Sequence, residues 1–207
     1  MTVTRPTIFV IDNDASVRER LARLFASIRF TAEVFSSAEA FLKRKPYDGV
    51  GCIILDTDLP GLSGLDLQEE LNKSRYPMPV IFITGQGTIR TCAQAMKAGA
   101  FDFLPEPFDE DELVAAVKGA VEKDRAARTV RSAVRGIRGR MKRLTPKEYE
   151  VLRCMIGGMR NRPIAVKLGI VEKTVKIHRS RVFTKLDAGS LAELARMAEM
   201  AGVRPAR

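Results

Sequence analysis

The sequence predicts an α/β domain built on a doubly wound, five-stranded parallel sheet, followed by a smaller all-α domain of four helices. Three observations carry this prediction. Over the first 120 residues, short β-branched runs alternate with amphipathic segments. From residue 144 onward the strand-like runs stop and only helical periods remain. The charge also divides the 207-residue chain. Residues 1–120 hold 13 Lys+Arg against 17 Asp+Glu, a balance of −4, and residues 121–207 hold 22 against 8, a balance of +14, giving +10 for the whole.

Five runs read as strands: Thr7–Ile11, Thr31–Phe35, Cys52–Leu55, Val80–Ile83 and Phe101–Leu104. The third and fourth are apolar at every position, as expected of a strand covered on both faces. Helical periods lie between them. Val17, Leu21, Leu24, Phe25 and Ile28 form one; Leu65, Leu67 and Leu71 a second; Ile89, Ala93 and Met96 a third; Leu113, Ala116, Val117 and Ala120 a fourth. Parallel strands need crossover connections, so this alternation specifies helices on both faces of one sheet.

Residues 121–143 change character. Lys123, Arg125, Arg128, Arg131, Arg135, Arg138, Arg140, Lys142 and Arg143 dominate, and Gly136 and Gly139 interrupt them. This predicts a helical extension running into a flexible basic linker. Domain boundaries follow at 1–122, 123–143 and 144–207. In the last segment, helices are predicted near 146–157, 161–168, 172–186 and 190–201. Thr145, Pro146 and Glu148 supply an N-cap, a first-turn proline and a capping-box acid. Gly157-Gly158 and Gly169 supply stops.

Composition excludes several function classes. The longest apolar runs are four or five residues, far short of the roughly 20 that span a bilayer. The N-terminus lacks a long apolar h-region, so a cytoplasmic protein is expected. Cys52, Cys92 and Cys154 are three and widely spaced, which excludes a disulfide framework and the usual zinc spacings. His178 is the single histidine, leaving little material for histidine-based metal sites or catalytic triads. The +14 excess favours a polyanionic partner, most often nucleic acid.

Ligands of open parallel sheets bind beyond the carboxyl ends of the strands. There this sequence places Asp12-Asn13-Asp14, Asp56-Thr57-Asp58 and Thr84-Gly85. Asp12 and Asp56, at the ends of two buried strands, predict an oxygen-ligand site suited to Mg²⁺, where a neutralised aspartate can accept a phosphoryl group. Asp14 reads instead as a helix N-terminal acid.

The motifs VIDNDASVRE, ILDTDLPGLSGLDL, VIFITGQGT and AMKAGAFDFLPEPFDE, in this order, resemble the receiver domain of two-component response regulators, over about residues 5–120. The resemblance implies a flavodoxin-like fold, Asp56 as phosphoacceptor, and Mg²⁺ held by Asp12, Asp56 and the backbone carbonyl of Asp58. It implies that Thr84 contacts the phosphoryl group, that Phe103 is the aromatic switch, and that a sensor histidine kinase is the partner. Two positions depart from the pattern. Asn13 stands where the family has a second acidic ligand. Glu106 stands where it has the lysine that pairs with phosphorylated aspartate. At about 4 Å and an effective dielectric near 20, a unit charge pair is worth roughly 4 kcal/mol, so a carboxylate there repels the phosphoryl group comparably unless it turns away. Weak Mg²⁺ binding, weak phospho-dependence, an outward-facing Glu106 and a pocket short of cations are expected, with at least one carboxylate pKa raised. The alternative is that a nearby cation such as Arg90 substitutes for the lysine. Asp56-Thr57-Asp58 also resembles the DxD of haloacid-dehalogenase-type phosphatases, but that motif follows the first strand of its domain, not the third.

Residues 144–194 resemble the LuxR-type helix-turn-helix, and the whole chain is similar to the FixJ/NarL class of response regulators. That implies a DNA-binding transcription regulator, not an enzyme, dimeric on DNA. On the helix 172–186, Val175, Val182 and Leu186 form a core stripe. Lys176, Ile177 and Ser180 on the other side are base-reading candidates, and Lys173, Thr174, Arg179, Arg181 and Lys185 are candidate phosphate contacts. His178, between core and flank, reads as a packing residue. The apolar face Leu191, Leu194, Ala195 and Ala198 reads as a dimerisation face or as packing against helix 146–157.

Overall fold

The computed structural model describes residues 5–73, 78–85 and 87–206. Two compact units are present, residues 1–128 and 129–207.

The first unit holds strands β1 (Thr7–Ile11), β2 (Thr31–Phe35), β3 (Gly51–Asp56), β4 (Val80–Thr84) and β5 (Asp102–Pro105), and helices α1 (Ala15–Ser27), α2 (Ala38–Leu42), α3 (Gly64–Asn72), α4 (Ile89–Lys97) and the start of α5 (Glu110–Met141). All strand pairs are parallel, in the order β2-β1-β3-β4-β5. The order reverses at β1 and β3, which opens a crevice at their carboxyl ends. Alternate strand residues feed two cores. Ile8, Val10, Cys52, Ile54, Ile81 and Ile83 pack with Leu21 and Phe25 of α1 and with Leu113 and Val117 of α5. Phe9, Ile11, Ile53, Leu55 and Phe82 pack with Phe41 of α2, Leu67 of α3 and Ala95 of α4.

β5 begins one residue later than predicted. α2 was not predicted, because five residues are too few to show a helical period; Ser37 caps it by accepting from the Ala40 amide. Asp124 of α5, fully buried, accepts from the Gly51 amide and from Arg128, which also meets Asp48.

The second unit contains α6 (Pro146–Ile156), α7 (Asn161–Leu168), α8 (Glu172–Leu186) and α9 (Leu191–Ala201), within a residue of the predicted bounds. Its core joins Val151, Leu152 and Met155 of α6, Ile164 of α7, Val175, Val182 and Leu186 of α8, and Leu194, Met197 and Ala198 of α9. The flexible linker expected at 123–143 is corrected. α5 continues unbroken through Gly136 and Gly139 to Met141. Ile137 and Met141 are buried in the second core. Their burial outweighs the roughly 1 kcal/mol that each helical glycine costs. Among the described residues, no helix is long and apolar enough to cross a membrane.

Candidate functional site: an acidic crevice and a basic recognition helix

Asp12, Asn13, Asp14, Asp56, Asp58, Thr84, Gly85 and Glu106 line one crevice of about 220 Å³ beyond the carboxyl ends of β1, β3 and β4. Asp12 is buried, and its Oδ1 accepts from the Asp14 amide at 2.7 Å. Asp14 caps α1, accepting from the Ser16 amide and hydroxyl, which holds its carboxyl below the usual range. Asp56 ends β3 half-buried, and its Oδ1 accepts from the Asp58 amide. Gly64 is required beside it, since a Cβ there would lie 2.2 Å from the Asp56 carbonyl oxygen.

The charges in this crevice oppose one another. Burial raises the Asp12 carboxyl to about 6, against the Asp14 hydrogen bond and with help from the charges of Asp56 and Glu106. Burial also raises Asp56, and the charges of Asp58 and Glu106 add to it. Both shifts match the expectation of an elevated carboxylate.

One expectation about Glu106 is corrected. It does not swing out; its carboxylate lines the crevice and lies over Gly85. No Lys or Arg lines the crevice itself, but a cation stands at its rim. Arg20 of α1 stands 4.0 Å from Glu106 and 3.7 Å from Glu110, stacked over Phe108. Its role was not legible in the sequence, because α1 and the loop after β5 meet only in three dimensions. This pair is partly solvated and worth little.

Thr84 is buried, and its hydroxyl accepts from Thr57 at 2.6 Å. Thr57, between two aspartates, was missed by sequence reasoning. Phe103 is half-buried against Phe82 and does not line the crevice. Gly87 rests on both switch candidates: a Cβ there would lie 2.5 Å from Thr84 Cγ2 and 3.1 Å from the Phe103 ring.

The crevice suits a hard cation that keeps much of its water. A buried and a half-buried carboxylate, Asp12 and Asp56, offer oxygen donors, and among the described residues no three His, Cys, Asp or Glu side chains form a closer cage.

In the second unit, Val175, Val182 and Leu186 anchor α8 to the core. Lys173, Lys176, Ile177, Ser180 and Arg181 are exposed, and Thr174 and Arg179 are half-exposed. α8 thus buries one stripe and leaves a cationic and mixed stripe exposed. Lys185, expected as a phosphate contact, has a partner within the protein. It donates to Glu148 Oε2 at 2.6 Å, and Glu148 is buried while also accepting from the Thr145 amide. Burial works against ionisation of Glu148, but the bonds from Lys185 and Thr145 prevail and hold its carboxyl below the usual range. Lys185 therefore fastens α8 to α6. His178 is half-buried, with a buried Nδ1 that has no hydrogen-bond partner. α9 packs on α6 through Leu194, Met197 and Ala198, while Leu191 remains exposed.

Comparison with known proteins agrees with this geometry. Residues 8–118 match the response regulator receiver domain model, and residues 142–198 match the model of bacterial regulatory proteins of the luxR family. Nodulation protein W of Bradyrhizobium diazoefficiens is 42% identical over 200 residues, covering 97% of this chain and 88% of that one. Transcriptional regulatory protein FixJ of Azorhizobium caulinodans is 41% identical over 199 residues, covering 96% and 94%. The solved structure of response regulator StyR is 41% identical with a TM-score of 0.85, covering 95% of this chain and 99% of that one. FixJ is named as a transcriptional regulatory protein and StyR as a response regulator, and none of these matches supports the phosphatase alternative. Receiver domain, LuxR-type helix-turn-helix and full-length similarity together place the chain in the FixJ/NarL class of two-component response regulators.

Proposed function

We propose that this regulator binds double-stranded DNA as a homodimer and depends only weakly on phosphorylation of Asp56. The inward Glu106 carboxylate is the observation that carries this reading. A phosphoryl group on Asp56 adds negative charge to a crevice already holding Asp12, Asp14, Asp58 and Glu106, with no lysine among its lining residues. Arg20 offsets Glu106 from the rim but does not line the crevice.

Mg²⁺, held by Asp12, Asp56 and the Asp58 carbonyl, would neutralise charge beside the phosphoacceptor. Asn13 in place of an acid gives it one negative charge fewer, so binding is weak. The chain's own residues set the rest. The Asp58 amide orients Asp56, Thr57 holds Thr84, and Glu106 opposes the product charge. A sensor histidine kinase is the phosphodonor partner that the receiver implies.

On DNA, Lys176, Ile177 and Ser180 of α8 read base edges, and Lys173, Thr174, Arg179 and Arg181 hold phosphates. The exposed face opposite Val175 and Val182 supports this. The two functions reside in the receiver, residues 1–122, and the DNA-binding domain, residues 144–207, joined through residues 123–143. The test is a DNA titration of the intact protein with and without a small phosphodonor and Mg²⁺. Nearly equal affinities are expected.

A further inference from the structure

Residues 125–147 contain nine Lys and Arg and no acidic residue. Five of these cations, on the last turns of α5 and in the turn that follows, where the Lys142 amide still donates to the Arg138 carbonyl, form two groups. Arg143 donates to the Lys185 carbonyl at the end of α8, and Arg140 stands 3.7 Å from Asp187. These two fix the end of α5 to the end of the recognition helix. Arg135, Arg138 and Lys142 do the opposite. All three are exposed, and none pairs with a described acidic residue.

At about 100° per residue, these three fall within about 60° of one another. Ile137 and Met141, which are buried, fall on a different face. Cations three and four residues apart repel, costing a few tenths of a kcal/mol per pair in an isolated helix. Nothing within the described chain relieves that repulsion. Burial of Ile137 and Met141 holds the helix, and with it the row of charges, in place. Such a row, built into the DNA-binding unit, complements evenly spaced phosphates.

We infer that Arg135, Arg138 and Lys142 form a second, sequence-independent contact surface for the DNA backbone flanking the site read by α8. This rests on the reading of α8 as a recognition helix. It adds a surface outside the helix-turn-helix match at 142–198, apart from Lys142 itself.

The experiment uses the intact protein and a duplex that it selects from a random-sequence pool. The duplex is prepared flush with the selected site and with flanks of about ten base pairs. R135Q/R138Q/K142Q is compared with wild type. The expected slope of log K against log salt is shallower in the variant by about 2.7 per protomer, from 0.9 per contact. Flanks raise the affinity of wild type but not of the variant, and both prefer the same sequence. Each single Gln variant is expected to remove about 0.9, which keeps the test decisive if the triple variant folds poorly. Equal slopes and equal gains from flanks would overturn the inference. So would loss of binding to phosphatidylserine vesicles with DNA binding unchanged, which would assign the row to a lipid surface. Failure of wild type to select any sequence would instead refute the recognition-helix reading.

Discussion

Glu106 is the residue on which the receiver's behaviour turns. Its charge raises both Asp12 and Asp56, so Glu106→Gln should lower both carboxyl pKa values, read by NMR titration. The pH dependence follows from Asp12. Its folded-state pKa, raised to about 6, lies above the unfolded value near 3.8. The stability it contributes is therefore fully present below about 3.8 and lost as pH rises through about 6. In metal-free buffer at pH 7.5 the loss is at most about 3 kcal/mol relative to acid conditions. Thermal unfolding in chelator should show the receiver gaining from this group between pH 7 and 5. Mg²⁺ requires ionised Asp12, so its affinity should rise in the opposite direction, from pH 5 to pH 7. In the second unit, Lys185→Ala strands the buried Glu148 and should destabilise by about 1–3 kcal/mol. Lys176→Ala should leave stability unchanged and relax one base position by about 1–3 kcal/mol. Equal unfolding midpoints for the two variants would contradict the separation of structural from reading lysines.

At the scale of elements, α5 carries the least expected result. Gly136 and Gly139 in a basic run read as a linker, because local propensity was the only information available there. Burial of Ile137 and Met141 overrode it, and the apolar spacing Val130, Val134, Ile137 and Met141 is the helical period that the glycines and the charge run masked. Ile137→Ala should destabilise the second unit by about 2–5 kcal/mol, measured by chemical denaturation. A cost below about 0.5 kcal/mol would return the segment to a linker. The strands were legible because β3 and β4 are apolar throughout, and α6 because its capping signals are local. Asp12 and Asp56 were legible as strand-end acids. The approach of Arg20 to Glu106 and of Lys185 to Glu148 was not, since each pair joins distant segments. The inward direction of Glu106 was not legible for the same reason: repulsion argued for an outward turn, and its neighbours Arg20 and Gly85 come from distant segments.

For the whole molecule, an acidic receiver and a basic DNA-binding unit meet different partners. With Lys185 engaged by Glu148, the proposed phosphate contacts include three cations of the helix-turn-helix per protomer: Lys173, Arg179 and Arg181. A dimer using these alone gives a salt slope of about −5; with Arg135, Arg138 and Lys142 engaged as well, it approaches −11. The central claim is that DNA binding is built into the fold while the phospho-switch is weakened at Glu106 and Asn13. The most direct measurement is DNA affinity with and without a small phosphodonor and Mg²⁺, for wild type and for Asn13→Asp/Glu106→Lys, alongside phosphorylation stoichiometry. Wild type should bind with nearly the same affinity in both conditions. The double variant should phosphorylate more completely and gain affinity, because it restores a metal ligand and the counter-charge for the phosphoryl group. If wild type phosphorylates fully and gains as much DNA affinity as the double variant, the account is contradicted and the protein is an ordinary phospho-switch.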